Sequence, residues 1–299
     1  MMMFKTLFFI LLSLSSLNLW AEVTARWLTV ASVLIDDGKT RLLFDPAWTR
    51  PGVLHWLGVN QLKSDETLVK SVLSKNKLNR VDATFVSHSH FDHAIDAPMV
   101  SKHAKSIYYA DEHNERLALA YKDPAIKMVR VMPYKKIKVG DFFVTPLPKE
   151  HSQILHLFDF LPGPVPKDTN LSFWDYCVGD TWFYLVEHPL GNILIDQGAA
   201  PFLDRIPKSV IKVDALIQGV ANRKNDEVVL EGYVKSFKPK IFIPIHFDNF
   251  FLEFSEGNEG LLPGVNLDEI LLKLKQAYPR MSVNRPWYGN PIKILEAKR

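Results

Sequence analysis

Val81-Asp82-Ala83-Thr84-Phe85-Val86-Ser87-His88-Ser89-His90-Phe91-Asp92-His93 opens on an apolar run and closes on three histidines and an aspartate within six residues. Val81 to Ser87 has the composition of a buried strand. In extended backbone, residues i and i+2 face the same side, so His88 and His90 can grip one cation. As the chain turns towards a helix, Asp92 and His93 can project to a neighbouring position. Imidazole and carboxylate suit Zn2+, Fe or Mn. Four such side chains at the end of a buried strand are costly to desolvate unless a metal or hydrogen bonds compensate.

Three further residues occupy the same kind of position. His151 follows the apolar run Phe142 to Leu147, Asp196 ends Asn192 to Ile195, and His246 ends Ile241 to Ile245. Ligands placed on strand ends can converge in one crevice. A lone histidine after a strand is more often a surface or core residue. Combination with the six-residue cluster is what points to metal.

Outward from these strands, short runs rich in Val, Ile and Phe alternate with helical patterns. Trp27 to Ile35 and Arg41 to Phe44 read as strands around a turn at Asp36-Asp37-Gly38, and Ser106 to Ala110, Thr181 to Glu187 and Ala215 to Gln218 read as further strands. Glu66 to Leu78, Asp111 to Tyr121, Asp226 to Phe237 and Leu267 to Ala277 carry helical spacing, and Pro286 to Leu295 adds a last strand. Mixed strands and helices over this length predict an α/β fold with more than one sheet. No repeat or linker divides residues 22–299, which read as a single domain. His156 to Gly179, rich in proline and aromatics, reads as a covering loop.

Composition sets outer limits. The 299 residues are 47% hydrophobic and 23% charged, which excludes disordered, collagen-like and disulfide-scaffold classes. A net charge of +3 lacks the basic footprint of a nucleic-acid binder. The one cysteine, Cys177, can form no intramolecular disulfide and lies among aromatics, as a buried small hydrophobe would. Residues 1–21 have the basic start, apolar stretch and small-residue exit (Ala21, or Ala25 as second choice) of a signal peptide, so the chain is expected to be exported, periplasmic or secreted. No later apolar run is long enough for a stable membrane span.

The order H-x-H-x-D-H, a distant His, an Asp before Gly and a late His resembles the metallo-β-lactamase superfamily, over Trp27 to about Leu295. Ala31 to Ile35, Leu43-Phe44-Asp45-Pro46 and Pro244-Ile245-His246-Phe247 are similar to the branch containing ascorbate-6-phosphate lactonases and N-acylphosphatidylethanolamine phospholipase D. The resemblance implies an αββα four-layer sandwich with two divalent metals at one edge, Zn2+ first and Fe or Mn as alternatives. His88, His90 and His151 would form one site, Asp92, His93 and His246 the other, with Asp196 bridging. Asp45 would orient a ligand histidine.

It further implies a hydrolase using a metal-bridging hydroxide, with Asp92 as the catalytic residue that steers the proton. Lactone, ester and phosphodiester substrates fit, because the superfamily's lactamases generally lack the bridging Asp. A β-lactamase and a non-catalytic metal-binding protein are the alternatives. Phe158, Phe160, Trp174, Trp182, Phe250 and Phe251 could wall a pocket for a small, acylated substrate, although core packing or a homodimer contact explains the same rings. Lys149, Asn222, Arg223 and Lys224 are candidate anion contacts, with solvated surface charges the plainer reading. His156 and His188 are the remaining histidines best placed to visit the pocket.

Overall fold

The computed structural model of the chain describes residues 22–153, 160–198, 212–221, 223, 225–256 and 260–297. The expected signal segment, His156, Phe158, Asn222 and Lys224 lie outside the described residues.

Among the described residues, fourteen strands form two sheets. The first takes β1 (Glu22–Trp27), β2 (Val33–Asp36), β3 (Arg41–Phe44), β4 (Ala83–Phe85), β5 (Ile107–Ala110) and β6 (Lys127–Arg130) in sequence order. The second takes β7 (Ile137–Val139), β8 (Phe142–Pro148), β9 (Trp182–His188), β10 (Gly191–Asp196), β11 (Ala215–Gly219), β12 (Ile241–Ile245) and β13 (Ser282–Val283). Finally β14 (Pro291–Glu296) returns to the first sheet and pairs antiparallel with β1. Parallel pairing runs from β3 to β6 and from β10 to β13.

Alternation along β3 shows how the layers are built. Leu42 and Phe44 face the core between the sheets, whereas Leu43 faces a second cluster with Val69, Val72, Leu73, Met99 and Val100. Those partners come from helices Glu66–Lys75 and Ala97–His103, which cover the outer face. Strands buried on both faces need such near-continuous apolar runs. Between the sheets, the Tyr184 ring lies 5.5 Å from Phe44 and 5.4 Å from Phe85, and its hydroxyl donates to Val86 O at 2.6 Å. The architecture is the α/β, four-layer αββα sandwich.

Several predicted elements change shape. The expected strand Trp27 to Ile35 is broken at Thr29 and Val30, whose φ values are +80° and +48°. The break is held from afar, since Val30 N donates to both carboxylate oxygens of Asp248. The helix expected to reach Leu78 ends at Lys75, and Lys77 turns at φ +57° so that Leu78 can enter the outer cluster. The helix over 226–237 is wound as a π-helix through Val228–Val234. Cys177 is only half-buried. Among the described residues, no helix is long and apolar enough to cross a membrane.

Candidate metal centre

Parallel topology puts the strand ends on one edge. His88 to His93 follow β4, His151 follows β8, Asp196 closes β10 and His246 follows β12. The histidine-rich segment itself turns from extended at His90 into the short helix Phe91–Ala94, which swings Asp92 and His93 past His90. His246 takes φ +56°, a left-handed conformation that costs energy and clusters at functional sites.

Two groups of three result. In the first, donor atoms of His88, His90 and His151 lie within 4.8 Å of one another; in the second, those of Asp92, His93 and His246 do. His88 and His93 rings are 3.9 Å apart, so the groups adjoin. All these side chains are buried except His151, which is partly exposed.

The hydrogen bonds around them fix which nitrogens are bare. Asp45 Oδ1 accepts from Ser87 N at 2.6 Å, and Oδ2 accepts from Ser87 Oγ at 2.5 Å and from His93 Nδ1 at 2.6 Å. Ser87 Oγ, its proton spent on Asp45, accepts from His88 Nδ1 at 3.0 Å. His90 Nε2 donates to Phe160 O at 2.9 Å. A neutral imidazole has one N–H, so His88 Nε2 and His90 Nδ1 meet at 3.1 Å with lone pairs facing. In neutral His93, whose Nδ1 proton goes to Asp45, Nε2 likewise carries no proton; it lies 3.2 Å from His246 Nε2, which is itself 3.3 Å from Asp92 Oδ2. His151 Nδ1, His246 Nδ1 and Asp196 Oδ2 are buried without a partner. Facing lone pairs and an unpartnered carboxylate oxygen are what a cation would relieve, so the residues fit divalent metal.

Protonation follows the same logic. Burial, with His93 and His90 nearby, pushes His88 well below the usual histidine range. Burial carries His90 down to about 4, and it holds His151 well below the usual value. Burial alone would raise Asp92, but His93 and His246 outweigh it and hold the carboxyl low. For His93, burial is outweighed by Asp92 and Asp45, so its pKa rises. Most of the cluster is therefore neutral imidazole and ionised carboxylate, the forms that bind metal.

The structure brings six of the seven expected ligands into these two groups. Asp196 joins neither: its Oδ1 accepts from Lys149 Nζ at 2.5 Å and from Gly198 N at 3.1 Å. Lys149, expected as a solvated surface charge, has a side chain only 4% exposed. Arg223 is spent on Asp226 at 2.6 Å. His188 stands at the opposite end of β9 from the cavity residue Trp182, with Nε2 3.5 Å from Asp37.

Of the expected aromatics, Phe160 lies 5.5 Å from His90, Phe250 lies 5.3 Å from His246, and Phe251 follows Phe250 at 4.5 Å. Trp182 lines the metal cavity, and Trp174 stands outside on the surface. Trp56 and Phe173 were not foreseen. Trp56 stacks at 4.8 Å on Phe173 and 5.2 Å from Phe251, closing a band of rings between the two histidine groups. Its sequence signal, an isolated tryptophan in a four-residue helix, is indistinguishable from surface packing.

Residues 25–175, half of the chain, match the family model of the metallo-beta-lactamase superfamily. The chain belongs to that superfamily. Other superfamily folds superpose over nearly its whole length. Igni18, a metallo hydrolase from Ignicoccus hospitalis, is 14% identical with a TM-score of 0.62, covering 92% of this chain and 99% of that one. An isothiocyanate hydrolase from Delia radicum gut bacteria is 15% identical with a TM-score of 0.57, covering 92% and 100%. CmlA, a diiron β-hydroxylase from Streptomyces venezuelae, is 14% identical with a TM-score of 0.54, covering 91% of this chain and 54% of that one. No curated protein sequence matches the chain. At such identities the metallo-β-lactamase fold is shared, and substrates do not transfer.

Proposed function

We propose that the protein is an exported, metal-dependent hydrolase that cleaves a lactone, ester or phosphodiester bearing an apolar chain. The observation that carries the reading is the pair of donor groups, His88/His90/His151 and Asp92/His93/His246, with bare nitrogens of His88 and His90 facing each other at 3.1 Å. These groups, with Asp196 at the same strand edge, would hold two divalent cations, Zn2+ being the first choice for so imidazole-rich a set. Divalent cations in such a site supply acidified water and polarisation of a carbonyl or phosphoryl oxygen.

The chain's own groups do the rest. Asp45 and Ser87 lock the tautomers of His93 and His88. Asp92 stays ionised at neutral pH, and its Oδ2 can hold the proton that leaves the nucleophile. The ring band from His90 and His246 through Phe160, Phe250, Phe173, Phe251 and Trp56 adjoins exposed Val53, Leu54 and Leu57. A hydrocarbon tail laid on its exposed end, Trp56 and Phe251, keeps the reacting carbonyl or phosphorus at the donor edge. Export rests on residues 1–21 alone.

A pH-stat assay on zinc-loaded protein, comparing acyl-lactones with phosphodiesters, tests the reading, since opening either releases acid. Two metals per chain and turnover that rises with acyl length are expected. Trp56→Ala should abolish the length dependence while sparing short substrates. Less than one metal per chain after supplementation would remove the dinuclear centre.

A further inference from the structure

The cavity at the donor edge has a second wall that touches none of the six grouped ligands' chemistry. Lys149, Ser152, Trp182 and Gln197 line it together with His88, His93, His151 and His246. Ser152 is 8% exposed, Trp182 5% and Gln197 2%. Among the described residues, Ser152 Oγ, Trp182 Nε1 and both polar atoms of the Gln197 amide take no hydrogen-bond partner. Buried polar groups left unsatisfied are destabilising, whereas apolar residues of the same shape would fill this wall at no such cost. Four of them converging on one cavity argue for a ligand.

Their chemistry is lopsided. An indole N–H only donates, an ammonium has three N–H donors, and the hydroxyl and amide add one or more each. Lys149 spends two of its protons, on Asp196 Oδ1 at 2.5 Å and Gly198 O at 3.0 Å, which leaves one. Against these donors, the wall's acceptors are Gln197 Oε1 and the serine oxygen. The acid among the lining residues is Glu150, which is exposed at the rim. A buried, donor-rich wall whose lysine, paired with Asp196, keeps one proton free suits a compact oxygen anion.

We propose that Lys149, Ser152, Trp182 and Gln197 form a subsite for an anionic oxygen group of the substrate, a carboxylate or a phosphate. The inference builds on the hydrolase reading: the bond to be cleaved sits at the donor edge, and an anionic group a few bonds away is held on this wall. The aromatic band and the anion subsite flank the edge, so the substrate they select carries an apolar tail and a charged head.

The test is a titration followed by 15N NMR on the zinc-loaded protein and on the same protein stripped with EDTA. Of the seven tryptophans, Trp20 belongs to the expected signal segment, so the processed chain gives six indole signals, and Trp182→Phe assigns the one that matters. Inorganic phosphate, acetate and, as a neutral control, acetamide are the probes. Phosphate or acetate should move the Trp182 indole signal saturably in both samples. Gln197→Leu and Ser152→Ala should each weaken that binding by about tenfold. Acetamide should bind at least tenfold more weakly than acetate. Tighter phosphate binding assigns a phosphorylated head, and tighter acetate binding assigns a carboxylate. A silent Trp182 signal, unchanged affinity in both variants, or acetamide binding as tightly as acetate would each overturn the subsite. Metal analysis on the same samples separates the two ideas: two zincs with a silent Trp182 leaves the hydrolase reading standing, and a responsive Trp182 without metal leaves only the subsite.

Discussion

Asp45 does more than end a strand. Its two oxygens take Ser87 N, Ser87 Oγ and His93 Nδ1, so one carboxylate sets the tautomers of His93 directly and of His88 through Ser87. Partners of this kind are worth about 10- to 100-fold in metal affinity. Asp45→Asn should therefore weaken zinc binding by roughly that factor, measured by competition with a chromophoric chelator, while far-UV circular dichroism stays native. Equal affinity in the variant would mean the histidines are positioned by packing alone. At this scale the sequence was highly legible. His88, His90, Asp92 and His93 lie within six residues of one chain segment, where spacing dictates geometry. Lys149 was misread because its burial depends on how β8 and β10 are placed, which no local pattern encodes. The same limit hides Trp56 and Phe173, whose meaning comes only from the rings they meet.

Among the elements, β10 and β11 show how backbone closeness serves the site. They run parallel with Asp196 opposite Gln218, and an added Cβ on Gly219 would stand 2.1 Å from Gln197 O. Gly219→Ala must displace the Gln197–Gly198 peptide, which carries the amide bonded to Asp196 and leads directly into the Gly198 carbonyl bonded to Lys149. Overpacking of this sort costs about 1 to 3 kcal/mol, so the urea midpoint should fall and turnover should drop several-fold. A variant with wild-type stability and rate would show that this peptide is free to move. Strand cores were easy to foresee because their residues are apolar on both faces; strand ends were not. The Trp27 to Ile35 run looks continuous by composition, yet Asp248, over two hundred residues away in sequence, holds the break at Val30. Similarly, nothing in the apolar spacing of 226–237 distinguishes π-winding from an α-helix.

For the whole molecule, the buried histidines make stability depend on pH. His90 titrates near 4 in the fold against 6.5 when unperturbed, and His88 and His151 shift the same way. Between those values the unfolded chain binds protons that the folded chain refuses, so stability falls as pH falls. His93 works in the opposite sense: its raised pKa adds stability below 6.5 that is lost as pH rises through the folded value. Three lowered groups against one raised group give a net loss on acidification, with His90 alone contributing roughly 3 kcal/mol as an upper bound. The metal-free protein should show a Tm that declines from about pH 6.5 towards about 4, measured by scanning calorimetry. Zinc should hold the Tm level to lower pH, because it binds the unprotonated rings. A Tm that is flat through this range without metal would contradict the buried, neutral state of the cluster.

His246 N donates to Val30 O at 2.8 Å, and Asp248 returns two bonds to Val30 N. That stitch joins a loop near the start of the described chain to a strand end near its finish, and His246 itself faces His93. During synthesis, the second donor group stays incomplete until about four-fifths of the polypeptide has emerged. Copies truncated before His246 would own the six-residue histidine cluster yet lack its closing partner. The second donor group is therefore complete only once the far end of the chain has folded back onto its start.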